Sequence, residues 1–303
     1  MKLVECVPNF SEGRRPEVLD EIVGAMTSVR GVRLLDKEMD ADHNRAVVTI
    51  IGAPEAVLEG AFLGIEKAGR TLDLTKHEGE HPRMGATDVC PFVPVAGVTM
   101  GDCVELAKRL GKRVGEELSI PVFLYEAAAT RPSRENLANV RKGQFEGLSE
   151  EIGKNPEKDP DYGPKKIHPT AGAIAIGARP FLIAYNINLG TADLSVAKAI
   201  AKSIRHSGGG LRYVKALGFE IKDRGIVQVS INMVNFKGTP LFRVFEMVKS
   251  EAERYGVPVI GSEVVGLVPA DALVDVAEFY LRLEGFARDQ VLENRLSEGE
   301  EAE

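Results

Sequence analysis

The chain of 303 residues is long enough for a sizeable core and usually divides into two domains. Hydrophobic residues make up 44% of it, and no run approaches the roughly 18 consecutive apolar residues of a membrane-spanning helix. A net charge of −7 without a basic stripe argues against a nucleic-acid partner. Three widely spaced cysteines exclude a disulfide scaffold. Because the start also lacks the apolar stretch of a signal peptide, we expect a cytoplasmic protein.

The first 70 or so residues predict the order β-α-β-β-α, which is close to a split βαβ unit. Apolar residues predict strands over residues 2–7, 32–35 and 46–51, and helices that begin at Pro16 and Pro54. The acidic residues 36–45 are predicted to connect two of these strands. A helix over residues 101–118 and a strand over 121–125 are expected to follow.

Two irregular segments interrupt this pattern, over residues 75–95 and 153–172. Long irregular segments inside a compact domain usually have a function. After residue 172 the pattern restarts and again reads β-α-β-β-α-β-α, with Gly and Pro at the breaks. The sequence therefore predicts an α/β protein of the α+β type with two similar subdomains, residues 1–178 and 179–303.

The residues from His77 to His81 match the H-E-x-x-H spacing of zinc proteases. On a helix this spacing places two histidines on one face, where they can bind zinc. Gly79 in the middle and Pro82 directly after the motif disfavour a helix here. We therefore expect a charged loop and no metal site.

His81 is the more interesting of the two histidines, because acidic, basic and turn-forming residues surround it and an apolar strand follows. Histidine titrates near neutral pH, so it can both accept and donate a proton during catalysis. The alternative is that His81 only forms a hydrogen bond within a turn. Cys90 is a second potential nucleophile, but its apolar surroundings favour a buried and unreactive thiol.

The second irregular segment is basic, with Lys165, Lys166 and His168 between Pro and Gly. Two interpretations remain open, a solvated linker and a ligand-binding loop near the domain boundary. Asn186 and Asn188 alternate with apolar residues and are expected on one face of a strand, which either lines a pocket or faces solvent.

Five sequence runs resemble the formiminotransferase family, the transferase half of formiminotransferase-cyclodeaminase. They are L-V-E-C-V-P-N-F-S-E-G at residues 3–13, G-E-H-P-R-M-G-A at 79–86, D-V-C-P-F at 88–92, N-I-N-L at 186–189 and V-G-L-V-P at 265–269. The resemblance covers nearly the whole chain. It implies two ferredoxin-like subdomains, each with a mostly antiparallel sheet covered by helices on one face, and a homodimer.

The resemblance implies transfer of a formimino group from N-formimino-L-glutamate to tetrahydrofolate as co-substrate, in histidine degradation and one-carbon metabolism. The alternatives are a glutamate formyltransferase that uses 5-formyltetrahydrofolate and a non-catalytic folate-binding protein. The family's catalytic histidine corresponds to His81, assisted by an acid for which Glu38 is favoured over Asp40 and Asp42. The folate-binding residues correspond to Gly163, Pro164, Lys165, Lys166, Ile167, His168, Pro169, Thr170, Ala171, Gly172 and, later, Gly209.

The chain departs from animal members of the family in two respects. It has Ala171 where they have an aromatic residue, so pterin stacking at this position is not expected. No cyclodeaminase domain follows, so we expect a separate cyclodeaminase to act on the product.

Overall fold

The computed structural model describes residues 2–79 and 81–300 and divides the chain into two compact units, Met1–Pro180 and Phe181–Glu303. The predicted α/β class with two subdomains is confirmed. Within the described residues, no helix has both the length and the apolar character needed to cross a bilayer.

The first unit contains a seven-stranded mixed sheet and five helices within its described part. Its strands are β1 (Leu3–Cys6), β2 (Asn9–Phe10), β3 (Arg33–Asp40), β4 (Arg45–Gly52), β5 (Thr87–Ala96), β6 (Val122–Glu126) and β7 (Ile174–Ala178). Its helices are α1 (Pro16–Thr27), α2 (Pro54–Thr71), α3 (Met100–Glu117), α4 (Leu137–Val140) and α5 (Gln144–Glu151). β1 and β2 both pair with β4 and β5 in antiparallel fashion, while β7 runs parallel to β5 and β6.

Three long helices cover one face of this sheet and form its main core. α1 begins at Pro16, whose fixed φ suits the first helical position, and buries Leu19, Ile22 and Met26. α3 begins after Thr99, whose hydroxyl accepts a hydrogen bond from the backbone N–H of Asp102 in a capping box. The opposite face is covered at one end by α4 and α5, which contribute to a smaller apolar cluster.

Three expectations about this unit need correction. Residues 36–40 belong to strand β3 and are not a connection. Because β3 has a recorded strand neighbour on one side only, β4, it lies at an edge of the described sheet, where polar residues are well tolerated. The strand β5 begins at Thr87, so the irregular segment is shorter than the predicted 75–95. The strand β7 completes the first sheet and does not start the second unit, because it pairs with β5 and β6.

The second unit contains an antiparallel sheet in the order β11-β8-β10-β9. The strands are β8 (Ile183–Leu189), β9 (Val214–Ile221), β10 (Ile226–Met233) and β11 (Val259–Val265). The helices are α6 (Leu194–Ile204), α7 (Leu241–Glu253), α8 (Ala270–Leu281) and α9 (Leu292–Glu300). Alternate residues of β8 and β10 are buried with one side of α6 and α7 in a second core.

Candidate functional site

The loop that carries His81 is held by the turn between β3 and β4. The backbone N–H of His81 donates to the carbonyl of His43 at 3.4 Å, and the Asn44 side chain donates to the carbonyl of Glu78 at 2.9 Å. A Cβ at Gly79 would lie 2.5 Å from the carbonyl oxygen of His43, so only glycine permits this approach. The loop therefore has a defined position.

Arg83 fixes the other side of the same loop. Its guanidinium donates to both carboxylate oxygens of Glu146 in α5, at 3.0 and 2.8 Å, and its Nε donates to His77 Nδ1 at 3.2 Å. The Nε2 of His77 in turn contacts the carbonyl of Asn44 at 2.9 Å. Both ring nitrogens of His77 are thus used in hydrogen bonds, which supports a structural role for this histidine rather than a role as a metal ligand.

Asp88 is the carboxylate beside His81. The Nε2 of His81 lies 3.5 Å from Asp88 Oδ2, and the two residues are only 8% and 1% exposed. Burial lowers the pKa of His81 below its usual value, and the charge of Asp88 opposes this effect. His81 is therefore neutral near pH 7, the form in which it can accept a proton.

Asp88 remains ionised because three groups support its charge. Although burial alone raises the pKa of this carboxyl, the charge of Arg141, the contact with His81 and the backbone N–H of Met84 together lower it. The Met84 N–H donates to Asp88 Oδ1 at 2.9 Å, and Arg141 forms an ion pair with Asp88 Oδ2. His81, Asp88 and Arg141 thus form a buried chain of interacting groups.

Sequence reasoning missed Asp88, although a signal was present. Asp88 is a charged residue at the start of the otherwise apolar strand β5, seven positions after His81. The favoured assistant, Glu38, lies in β3 opposite Val47 and contributes its charge to the surroundings of Arg45. Asp40 accepts hydrogen bonds from the backbone N–H groups of residues 42 and 43, so it stabilises the turn. Asp42 is exposed in that turn.

The predicted folate-binding loop, residues 163–172, lies against the segment that follows His81. The N–H of Ala86 donates to the carbonyl of Ala171 at 2.9 Å, and the N–H of Leu74 donates to that of Thr170 at 2.8 Å. Gly172 has a φ of +71°, and a Cβ there would lie 2.3 Å from the carbonyl oxygen of Met84. The structure therefore brings this loop and the histidine loop together.

The side chains of this loop have different surroundings. Lys165 forms an ion pair with Asp159 at 2.6 Å, while Lys166 is exposed and has no recorded ion pair within residues 2–79 and 81–300. His168 Nδ1 accepts a hydrogen bond from the N–H of Ala171 at 2.9 Å, and burial lowers the pKa of His168. Ala171 is 2% exposed and belongs to the core.

The other predicted loop residues are arranged by backbone geometry. Ile167 packs on the smaller apolar cluster, and Gly163, with a φ of +84°, passes close to Gly115 of α3. Pro164 and Pro169 are exposed. Of the loop's cationic side chains, Lys166 is therefore the one that is exposed without a recorded ion pair in the part of the chain that is described.

The remaining candidates lie in the second unit. Gly209 ends a short 3-10 helix with a φ of +91° and is exposed. Gln228 Nε2 donates to Asn188 Oδ1 at 2.9 Å and to Glu263 Oε1 at 3.0 Å, and Asn186 donates to the same Glu263 oxygen at 3.1 Å. The two asparagines therefore share one face of β8, as predicted.

A cavity of about 480 Å³ opens beside the histidine loop in the first unit. Its lining includes Arg14, Asn44, Lys76 and His77. Among the described residues, no group of three or more His, Cys, Asp or Glu side chains is arranged to hold a metal ion. The acidic residues Glu12 and Asp73 also line this cavity, so it carries charges of both signs.

Comparison with known proteins gives consistent matches along both units. The model of the formiminotransferase domain, N-terminal subdomain, matches residues 3–179, and the model of the formiminotransferase domain matches residues 184–295. A glutamate formimidoyltransferase of Streptococcus pyogenes serotype M1 is 56% identical over 298 residues, which are 97% of this chain and 99% of the relative.

Two further relatives extend this comparison. A glutamate formimidoyltransferase of Thermoplasma acidophilum is 50% identical over 298 residues, covering 98% of each chain. A formimidoyltransferase-cyclodeaminase of Mus musculus is 47% identical over 285 residues, which are 92% of this chain and 52% of the relative. The chain therefore matches about half the length of the bifunctional relative.

Proposed function

The chain belongs to the formiminotransferase family, and we propose that it transfers the formimino group of N-formimino-L-glutamate to tetrahydrofolate, giving 5-formiminotetrahydrofolate and glutamate. The family resemblance expected from the five sequence runs is thus confirmed. The observation that carries the proposed chemistry is the buried group of His81, Asp88 and Arg141 beside the loop of residues 163–172.

His81 is proposed to move the proton that this reaction requires. When the folate N5 attacks the formimino carbon, N5 loses a proton and the departing glutamate nitrogen gains one. A single neutral histidine between the two nitrogens can accept the first proton and donate it to the second. Asp88 stabilises the imidazolium that forms in between, because its carboxylate lies next to His81 Nε2.

The arrangement indicates which ring nitrogen reacts. His81 Nε2 is inaccessible to solvent and faces Asp88, so it has no room for a substrate. The other ring nitrogen, Nδ1, differs from Nε2. No hydrogen bond to Nδ1 is recorded within the described residues, and yet it is not one of the fully buried polar atoms without a partner. We therefore assign Nδ1 as the atom that exchanges the proton with the substrates.

The loop of residues 163–172 is proposed to bind the folate. Lys166 is an exposed cation with no recorded ion pair in the described part of the chain, which suits a carboxylate of the folate glutamate. Gly209 and the remaining loop residues are proposed contacts through their backbone, and Glu38 is proposed to influence the site through its charge near Arg45.

The proposal extends to the biological setting. We propose a cytoplasmic homodimer that acts in histidine degradation and one-carbon metabolism, with a separate cyclodeaminase that consumes the product. The relatives that combine both names in one chain support a cyclodeaminase step linked to this reaction.

The first test is an assay of the purified protein with formiminoglutamate, with and without tetrahydrofolate. Formation of glutamate and 5-formiminotetrahydrofolate that requires both substrates, measured by mass spectrometry, is the expected result. Consumption of 5-formyltetrahydrofolate and glutamate instead would favour the glutamate formyltransferase. Binding of folate without any product would leave a folate-binding protein.

A further inference from the structure

Arg45 is a partly buried cation that the mechanism described above does not use. It is the first residue of β4 and lies opposite Asp40 in the antiparallel register. Its Nε is inaccessible to solvent and has no hydrogen-bond partner, and within residues 2–79 and 81–300 no ion pair to its guanidinium is recorded. Burial of this N–H without a hydrogen-bond partner is unfavourable, because the group loses its hydration.

The surroundings of Arg45 contain the groups of the active site. Its charge lowers the pKa of His81, together with the charge of Arg141. Burial lowers the pKa of Arg45 itself, and so does Arg141, although the charges of Asp40, Asp88 and Glu38 act in the opposite direction. The adjoining turn holds the histidine loop, since the carbonyl of His43 accepts the N–H of His81. Arg45 therefore lies close enough to His81 for their charges to interact, and its Nε lacks a hydrogen-bond partner.

We propose that Arg45 binds the α-carboxylate of formiminoglutamate beside His81. This inference rests on the proposed function and names the group that places the donor substrate. The nitrogen that carries the formimino group and the α-carboxylate are attached to the same carbon, so both must lie close together in the site. A nitrogen within reach of His81, about 2.6–3.2 Å from its ring, brings the carboxylate towards Arg45.

The neighbouring cations are less suited to this role. Arg141 already forms an ion pair with Asp88, and Arg83 is bound to Glu146 at two oxygens. The planar guanidinium of Arg45 offers two parallel N–H donors, which match a carboxylate in a bidentate arrangement. Arg45 thus combines an Nε that has no hydrogen-bond partner with the planar donor geometry that a carboxylate requires.

The test combines a variant with substrate analogues. Arg45→Gln is compared with Arg33→Gln, an exposed arginine at the start of β3 in the same sheet. Each protein is assayed with formiminoglutamate, with its α-carboxamide analogue and with its γ-carboxamide analogue. For formiminoglutamate, Arg45→Gln should lower kcat/KM about 10- to 100-fold, as expected for hydrogen bonds to a charged group, and leave the KM for tetrahydrofolate unchanged.

The analogues show which carboxylate is involved. The α-carboxamide should be a poor substrate for the wild type and for Arg33→Gln, and Arg45→Gln should lower its turnover little further, because the interaction is already absent. An equal loss with all three substrates would overturn the inference. The inference would also be overturned if the effects of Arg45→Gln and of the substrate change were non-additive for the γ-carboxamide alone. The same holds if Arg45→Gln changed only the KM for tetrahydrofolate.

Two further results complete the design. No recorded hydrogen bond within the described residues is lost in Arg45→Gln, so the variant should remain folded. Its unfolding temperature, measured beside that of Arg33→Gln, shows whether a loss of activity reflects misfolding. A wild type without formimino transfer would refute the proposed function itself. Wild-type turnover with an unaffected Arg45→Gln would refute the role of Arg45 alone.

Discussion

Replacement of Asp88 by asparagine tests how His81 is supported. The amide retains an oxygen that can accept the N–H of Met84, which lies 2.9 Å from Asp88 Oδ1. It removes the charge that faces both Arg141 and His81. The variant therefore changes the electrostatics of the site with little change in its shape.

The magnitude of the effect on stability follows from the burial of the ion pair. Removal of one partner from a buried pair costs roughly 3–5 kcal/mol, because the other charge stays behind. The Arg141 side chain is 17% exposed, so we expect the lower end of this range, about 3 kcal/mol. Total stabilities of about 5–15 kcal/mol leave the variant folded.

This difference in stability should depend on pH. The folded-state pKa of Asp88 is lowered, so its contribution is fully present above the unfolded value of about 4 and is lost as the pH falls through the folded value. The difference between wild type and Asp88→Asn in the free energy of unfolding should therefore shrink in acid. Urea denaturation at several pH values measures it.

The effect on activity has a separate signature. A neutral His81 is required, so the wild-type kcat/KM should fall on the acid side with a pKa below the usual value of about 6.5. Asp88 raises the pKa of His81, so Asp88→Asn should move this limb to lower pH and reduce kcat about 100-fold.

A double variant separates the structural role from the catalytic role. In Asp88→Asn/Arg141→Gln neither charge of the pair remains, so much of the lost stability should return while turnover stays low. Wild-type turnover and an unshifted acid limb in Asp88→Asn would refute the proposed support of His81. Full recovery of turnover in the double variant would show that Asp88 acts only through the fold.

The other predictions concern the histidine and the folate loop. His81→Ala should lower kcat by about 10²–10⁴ and leave folate binding intact in calorimetry, whereas near-normal turnover would contradict its role. Gly172→Ala should lower the free energy of unfolding, measured by urea denaturation, clearly more than Gly225→Ala. Both glycines have a positive φ, which costs an alanine about 1–2 kcal/mol, but only a Cβ at residue 172 meets a backbone oxygen. Equal losses in the two variants would refute this reasoning. Lys166→Gln should raise the KM for tetrahydrofolate and leave kcat unchanged. The rise should exceed that in Lys165→Gln, because Lys165 is already paired with Asp159. A larger rise in KM for Lys165→Gln would argue against the role of Lys166.

Local features of the chain were predictable because they depend on neighbouring residues. The apolar spacing after Pro16 determines the buried face of α1, and Gly79 and Pro82 predict the loop around His81. The five sequence runs identified the family and, through it, pointed to His81 and the loop of residues 163–172 as candidate site residues. The sequence reasoning failed for β3, whose residues 36–40 read as part of a connection. A strand at the edge of a sheet can carry polar residues, so its sequence pattern resembles that of a connecting loop.

The amino-acid sequence by itself thus determined the α/β class and the division into two units, and it indicated His81 as the candidate catalytic residue. Only the tertiary structure decided that Asp88 lies beside His81, that Ala171 lies in the core and that the Nε of Arg45 has no hydrogen-bond partner. The physical reason is that burial and charge pairing depend on sheet register and loop packing, which join residues far apart in the chain: Asp88 and Arg141 meet although 53 positions separate them.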